Sequence, residues 1–97
     1  MANYNKIGKR ATKVIHEGNQ TVIQYHRTPV VTFNDNFITL NTGGWFTVTT
    51  KARMNQASNQ FNLGYHVYQE NFKWFVDFRG SILPFIAHQL RLTRELI

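Results

Sequence analysis

Apolar and polar residues alternate along most of the chain, and one central segment has helical spacing instead. The alternating stretches are rich in Val, Ile, Thr and aromatic residues, and turn signals such as Gly18-Asn19 and Asn34-Asp35-Asn36 separate them. This pattern is typical of short antiparallel strands. We predict strands at residues 12–17, 20–26, 30–33, 37–41, 65–69, 72–79 and 82–86.

The central segment, residues 49–60, is predicted to form a helix. When successive residues are placed at about 100° intervals, Thr50, Met54, Ala57 and Phe61 fall on one stripe, which should face the core. We therefore predict an α+β fold in which one central helix packs on an antiparallel sheet of about five to seven short strands.

The proline residues and the tail mark less regular parts of the chain. Pro29 is predicted to interrupt the strand before residue 30, because proline has no N–H to donate to a strand neighbour. Pro84 indicates an edge strand for the same reason. Residues 87–97 have helical spacing but are few, so an extended tail is an equal alternative.

Two glycines lead into the helix. We predict that Gly43 and Gly44 form a sharp strand-to-helix turn and that Thr49 and Thr50 cap the helix. Trp45 is predicted to be the packing anchor that fixes the helix angle. The alternative reading of the glycines is that they let a ligand approach the backbone.

The predicted outer face of the helix lacks acidic residues. No Asp or Glu occurs between Asn36 and Gln69, whereas a solvated helix usually mixes acids with bases. Lys and Arg neutralise phosphates, and Asn and Gln can bond to adenine edges. The alternative is that amides are simply the polar residues this chain uses, since it carries sixteen of them. The predicted outer residues are Asn55, Gln56, Asn59 and Gln60 with Ala52, flanked by Lys51 and Arg53.

The composition gives the chain a net positive charge. The 97 residues suit one domain, and 11 Lys and Arg against 5 Asp and Glu give a net charge of +6, which favours anionic partners. We predict a basic N-terminal arm at residues 1–11 and a single domain at residues 12–97. Lys9, Arg10 and the nearby Lys13 could follow a phosphate backbone, or the arm could be a frayed terminus.

The residues offer little for catalysis. The chain has no cysteine, and its four histidines are scattered without metal-ligand spacing. Neither nucleotide-binding glycine motif occurs. We therefore expect no metal, no cofactor and no enzymatic activity.

A membrane location is not expected either. No apolar run approaches the roughly 20 residues that span a bilayer, and the N-terminus lacks the apolar region of a secretory signal. We expect a soluble, intracellular protein.

The central string Thr42-Gly43-Gly44-Trp45-x-Thr47-x-Thr49-Thr50-Lys51-x-Arg53-Met54-Asn55-Gln56 resembles a family of small tailed-phage proteins, including ones from phages of cyanobacteria. The resemblance covers about residues 28–76. It implies a phage origin, expression in the cytoplasm of an infected bacterium and an accessory role, such as takeover of host transcription, counter-defence or DNA handling. It supplies no catalytic residue.

These observations predict a non-enzymatic accessory protein that binds nucleic acid through the helix. Lys51 and Arg53 would contact phosphates, and Lys9, Arg10 and Lys13 would assist. One alternative is an inhibitor or adaptor that binds a host protein, such as a transcription or defence factor, through the same helix or through exposed aromatics. Another is a sponge for a small anionic signalling nucleotide, held near the glycine turn by Lys51 and Arg53.

Overall fold

The computed structural model describes residues 7–94, which form one helix and eight strands. The predicted α+β class is confirmed in this broad sense, but the strands exceed the expected five to seven. The elements are β1 (Thr12–Glu17), β2 (Gln20–Tyr25), β3 (Thr28–Phe33), β4 (Phe37–Asn41), α1 (Val48–Phe61), β5 (Tyr65–Glu70), β6 (Lys73–Phe78), β7 (Ser81–Pro84) and β8 (Gln89–Thr93).

The strands form two antiparallel sheets. The larger sheet has the order β1-β2-β3-β4-β8, and the smaller has the order β5-β6-β7. Consecutive strands are joined by short turns within each sheet, while α1 connects one sheet to the other. The helix is therefore the first link between the two sheets, and residues 85–88, between β7 and β8, return the chain to the larger sheet.

The C-terminal segment forms the additional strand, β8. Its Leu92 pairs with Ile38 and its Leu90 with Leu40, both on β4. The helical spacing noted in this segment does not prevent the extended form, because residues 89–93 also alternate polar with apolar. Pairing with β4 places Leu92 in the core, which favours the strand.

Strand β3 begins earlier than predicted and includes Pro29. Gln24 pairs with Pro29, whereas the preceding Ile23 pairs with Val31, so the register shifts by one residue at this point. The pairing with β4 starts only at Val31. Pro29 therefore lies where β3 has a neighbour on one side, a position in which its missing N–H is tolerated.

Thr47 caps the helix, two residues before the predicted Thr49. Its side-chain oxygen accepts a hydrogen bond from the backbone N–H of Thr50 at 3.2 Å. The helix consequently starts at Val48. Its last residue is Phe61, and the next residue, Asn62, has the left-handed conformation that closes many helices. The prediction that Thr49 and Thr50 supply the cap is wrong, because Thr50 donates to the cap instead.

The predicted helix stripe is confirmed. Thr50, Met54 and Ala57 are buried and Phe61 is half-buried. The helix packs against β2 and β3 of the larger sheet and against β5 of the smaller one. A single core therefore includes side chains from both sheets and from the helix, among them Ile23, Val31, Leu40, Met54, Val67 and Val76.

Candidate nucleic-acid interface

The predicted outer face of the helix is largely buried. Asn55 and Gln56 are only 5% and 3% exposed, and Ala52 is buried as well. The prediction that these residues face solvent is therefore wrong.

Asn55 is buried because it covers the edge of β5. Its amide donates to the carbonyl oxygen of Val67 at 2.8 Å, and its carbonyl oxygen accepts from the Val67 N–H at 2.7 Å. Ser58 does the same one helical turn later, since its hydroxyl donates to the backbone carbonyl oxygen of Tyr65 and accepts from the backbone N–H of Tyr65. These side chains replace the strand that would otherwise pair with β5.

A second group of helix side chains holds the N-terminal segment. Gln56 accepts from the Gly8 N–H at 3.0 Å, and Gln60 accepts from the Ile7 N–H at 2.9 Å. Arg53 donates to Thr12 at 2.9 Å and to Gln56 at 3.1 Å. Three side chains that were predicted to contact nucleic acid, those of Arg53, Gln56 and Gln60, therefore form hydrogen bonds within the protein. Residues 1–6 of the predicted arm lie outside the described residues.

Trp45 is not the predicted packing anchor. Its side chain is 67% exposed, whereas the ring of the next residue, Phe46, lies 5.0 Å from Trp74 and 6.2 Å from Phe85. The turn before Trp45 determines which of the two rings packs, because Gly43 and Gly44 have φ values of 63° and 90°. These glycines therefore form the predicted turn, after which Phe46, although 40% exposed, packs against other rings and Trp45 points to solvent.

The tip of the β2–β3 hairpin brings a different set of residues together. A cavity of about 530 Å³ lies between this tip and the start of the helix, lined by Tyr25, His26, Arg27, Thr28, Val30, Thr42, Trp45, Thr47 and Thr50. A second cleft shares Tyr25 and His26 with it and adds Arg10, Thr49 and Arg53. A third cleft shares His26 and Arg27 and adds Lys9 and Lys13. The three clefts adjoin one another at these shared residues, and we call the surface that they form together the tip groove.

The tip groove has a strongly positive lining. Five cationic side chains line it, and no acidic residue is among its described lining residues. The backbone N–H of His26 donates to the Ala11 oxygen at 2.7 Å, which ties the N-terminal segment to the hairpin tip. The cations are Lys9, Arg10, Lys13, Arg27 and Arg53.

A family model described as Kyanoviridae Gp96 protein matches residues 1–91, nearly the whole chain. The chain belongs to this family. No curated protein and no solved structure matches it.

Membership of the Gp96 family confirms the resemblance to small proteins of tailed phages. The match extends well beyond residues 28–76, on which the resemblance was based. It includes Lys9, Arg10 and Lys13 at the N-terminal end and most of β8 at the other.

The remaining predicted site residues of this Gp96-family chain lie apart from the tip groove. Asn59 and Gln60 are exposed and line a further depression, which shares Lys9 and Thr12 with the third cleft but includes no residue of the hairpin tip. The Lys51 ammonium lies 5.8 Å from the ring centre of Trp74, and Lys51 lines none of the three clefts. The structure therefore brings together the N-terminal cations, Arg53 and Trp45, but leaves Lys51 and the amides outside.

Sequence reasoning missed Tyr25, His26 and Arg27. Arg27 lies directly before Thr28 and Pro29, between the predicted strands. Its position between two strands was a usable signal, because a charged residue at a hairpin tip is placed on the surface and beside the loops of neighbouring strands.

Two further properties concern the described residues only. Within residues 7–94, no group of three or more His, Asp or Glu side chains is placed to hold a metal ion. The helix in this part of the chain is neither long nor apolar enough to cross a membrane.

Proposed function

We propose that this phage protein is a non-enzymatic accessory protein that binds nucleic acid through the tip groove, in the cytoplasm of the infected host. The observation that carries the proposal is the convergence of five cationic side chains, without an acid, on these adjoining clefts beside an exposed tryptophan.

The charge pattern favours a polyanion. Each Lys or Arg that neutralises a phosphate releases condensed counterions, which is the main source of sequence-independent affinity for nucleic acid. The net charge of +6 adds a long-range attraction. Cations that lie along connected clefts can contact several successive phosphates of one strand.

The binding surface differs from the one that the sequence predicted. A helix that reads a DNA groove needs polar side chains directed at base edges, and Asn55 and Gln56 are instead bonded within the protein. The function is therefore assigned to the groove, with the helix supplying Arg53 at its margin.

Charge-reversal variants test this assignment by fluorescence anisotropy with a labelled oligonucleotide. Arg10→Glu/Arg27→Glu removes two groove cations, and we expect it to weaken binding by at least about tenfold, because two phosphate contacts become repulsive. The matched control is Lys73→Glu/Arg91→Glu, which changes two exposed cations elsewhere by the same charge. Equal losses in both variants would show that net charge, and not the groove, determines binding.

A second candidate function is supported by an apolar surface on the smaller sheet. Phe72 is 95% exposed and Ile86 is 82% exposed, beside a cavity of about 670 Å³ that Phe46, Phe75 and Pro84 also line. Such patches commonly contact proteins, which suits an inhibitor or adaptor of a host factor. The test is capture of a host protein from nuclease-treated lysate by the natural chain and its loss with Phe72→Ser/Ile86→Ser. Capture that this variant retains would exclude the apolar surface.

The predicted nucleotide sponge would use a different set of residues. The cavity at the glycine turn is lined by Arg27, whereas Lys51 lies elsewhere and Arg53 lines the adjoining cleft. A small nucleotide would therefore compete with a nucleic-acid strand for the same groove.

A further inference from the structure

Trp45 has an exposed indole on a fixed backbone. The backbone N–H of Trp45 donates to the backbone carbonyl oxygen of Thr42 at 3.0 Å, which closes the turn through Gly43 and Gly44. A side chain added at Gly43 would place Cβ 2.7 Å from the Thr28 hydroxyl oxygen, so this turn packs tightly on β3. Among the described residues, the Trp45 ring contacts no other aromatic ring. The backbone of Trp45 is thus held in place, and most of its indole is exposed beside the cavity.

The cavity lining also includes a second pair of rings, those of Tyr25 and His26. The rings of Tyr25 and His26 lie 4.3 Å apart, and the Arg53 guanidinium lies 5.6 Å from the ring centre of Tyr25. Buried Val30 and Thr50 close the floor. The cavity of about 530 Å³ is thus a walled space of the size that small-ligand sites have, roughly 300–1,000 Å³.

Three of the hydroxyl groups in this cavity, those of Thr42, Thr47 and Thr50, form hydrogen bonds within the protein. The Thr47 hydroxyl donates to Thr50 and accepts from its N–H. The Thr42 hydroxyl oxygen lies 3.4 Å from the His88 carbonyl and accepts from the Gly44 N–H. The cavity consequently offers flat apolar contact more than a pattern of donors and acceptors, which suits a planar ring and does not select one base.

Cations line the cavity and both of the clefts that adjoin it. Arg27 lines it and continues into the cleft with Lys9 and Lys13, while Arg10 and Arg53 line the cleft on the helix side. A planar ring in the cavity would therefore have the cations of two adjoining clefts near it. A nucleotide within a strand has this chemistry, because its base is attached to a backbone with a phosphate on each side.

We propose that the cavity between Trp45 and the hairpin tip holds one unstacked nucleobase, so that the tip groove binds single-stranded in preference to double-stranded nucleic acid. This inference rests on the proposed function. A paired base cannot enter the cavity, because it is stacked and hydrogen-bonded inside the duplex, whereas an unpaired base can stack on the indole.

The test combines three ligands of equal length, an oligothymidine, the same strand with abasic sites and a duplex, in anisotropy titrations. We expect the abasic strand and the duplex each to bind about tenfold more weakly than the oligothymidine, as the loss of a stacked base implies. Trp45→Ala should weaken oligothymidine binding about tenfold and leave the abasic strand unaffected, and Trp45→Phe should restore most of the loss. The tryptophan emission of the natural chain, which comes from exposed Trp45 and buried Trp74, should be quenched by oligothymidine and not by the abasic strand, and Trp45→Ala should abolish the quenching.

The outcomes separate the two claims. Equal binding of all three ligands, or of Trp45→Ala and the natural chain, overturns the base site while leaving groove binding intact. If none of the three ligands binds, both the base site and the binding of nucleic acid by the groove are overturned. Thymidine monophosphate and a cyclic dinucleotide form the last arm: if either binds more tightly than the strand, the cavity belongs to a small nucleotide and the single-strand assignment is wrong.

Discussion

The hydroxyl of Tyr65 shows how burial acts on a single residue. It donates to the Met54 carbonyl oxygen at 2.6 Å beneath the helix. Burial raises the pKa of this phenol well above its usual value, because a phenolate in the core would lose its hydration. The folded protein therefore keeps Tyr65 protonated at pH values where an exposed tyrosine ionises.

This residue predicts a loss of stability at alkaline pH. Tyrosine in the unfolded chain ionises near pH 10, so above this pH the folded state holds the extra proton. The stabilisation is complete below about pH 10 and is lost as pH rises toward the folded pKa. Tyr65→Phe should lower the free energy of unfolding at neutral pH by about 1 kcal/mol, through the lost hydrogen bond, and should make the alkaline decline shallower.

Urea unfolding across the alkaline range measures both effects. Tyr68→Phe is the control, because Tyr68 lies on the same strand but is half-exposed. An alkaline decline that is equally steep in Tyr65→Phe and in the natural chain would show that Tyr65 is not its source.

Trp45 and Phe46 illustrate what the sequence leaves open at this scale. Both are large, adjacent and close to a predicted turn, so composition does not tell which one packs. The left-handed conformation of Gly43 and its contact with Thr28 set the direction of the chain, and these depend on a strand that is distant in sequence.

The helix has two buried faces, and the sequence revealed one of them. Periodicity of apolar residues correctly identified Thr50, Met54 and Ala57. The second face uses Asn55 and Ser58 to satisfy backbone groups of β5, and polar residues in this role have the same pattern as solvated ones. The strand that a helix will cover cannot be identified from the helix itself.

Asn55→Ala should therefore destabilise the protein rather than only weaken ligand binding. It leaves the Val67 N–H and carbonyl buried without partners, and we expect a loss of about 2–4 kcal/mol in the free energy of unfolding. Asn59→Ala is the matched control at an exposed position of the same helix and should cost much less. Chemical unfolding monitored by circular dichroism compares them, and equal stabilities would contradict the edge-covering role.

The position of the helix cap gives a second prediction for this element. Thr47→Ala removes the side chain that accepts from the Thr50 N–H, and we expect a loss of about 1 kcal/mol. Thr49→Ala, the residue that the sequence favoured as a cap, should change stability less. A larger loss for Thr49→Ala in thermal unfolding would place the cap at the later residue.

Strand β8 shows why the secondary structure of a short terminal segment is hard to predict from its sequence. Residues 89–93 fit both a helical and an alternating pattern, and pairing with β4 decides between them. The central strands were predicted nearly to their ends because their turns carry Gly18-Asn19 and Asn34-Asp35-Asn36, which are strong local signals.

On the scale of the whole molecule, a helix joins two antiparallel sheets and the N-terminal segment packs across the helix through Ile7 and Gly8. This docking moves Lys9 and Arg10 from a predicted arm to the margin of a groove. The sequence identified these cations, and the anionic partner class that they favour stays a prediction. It could not identify Arg27 as their neighbour, because the two segments meet only when β1 and β2 pair.

The dependence of oligonucleotide affinity on salt tests the tip groove most directly. For single strands, the logarithm of the binding constant falls by about 0.7 per neutralised phosphate for each tenfold rise in salt. Four groove cations in contact would give a slope of roughly −3, and Arg10→Glu/Arg27→Glu should make it clearly shallower. The Lys73→Glu/Arg91→Glu control should keep the slope of the natural chain. A flat response in the natural chain, or a slope that only the control reduces, would contradict the account.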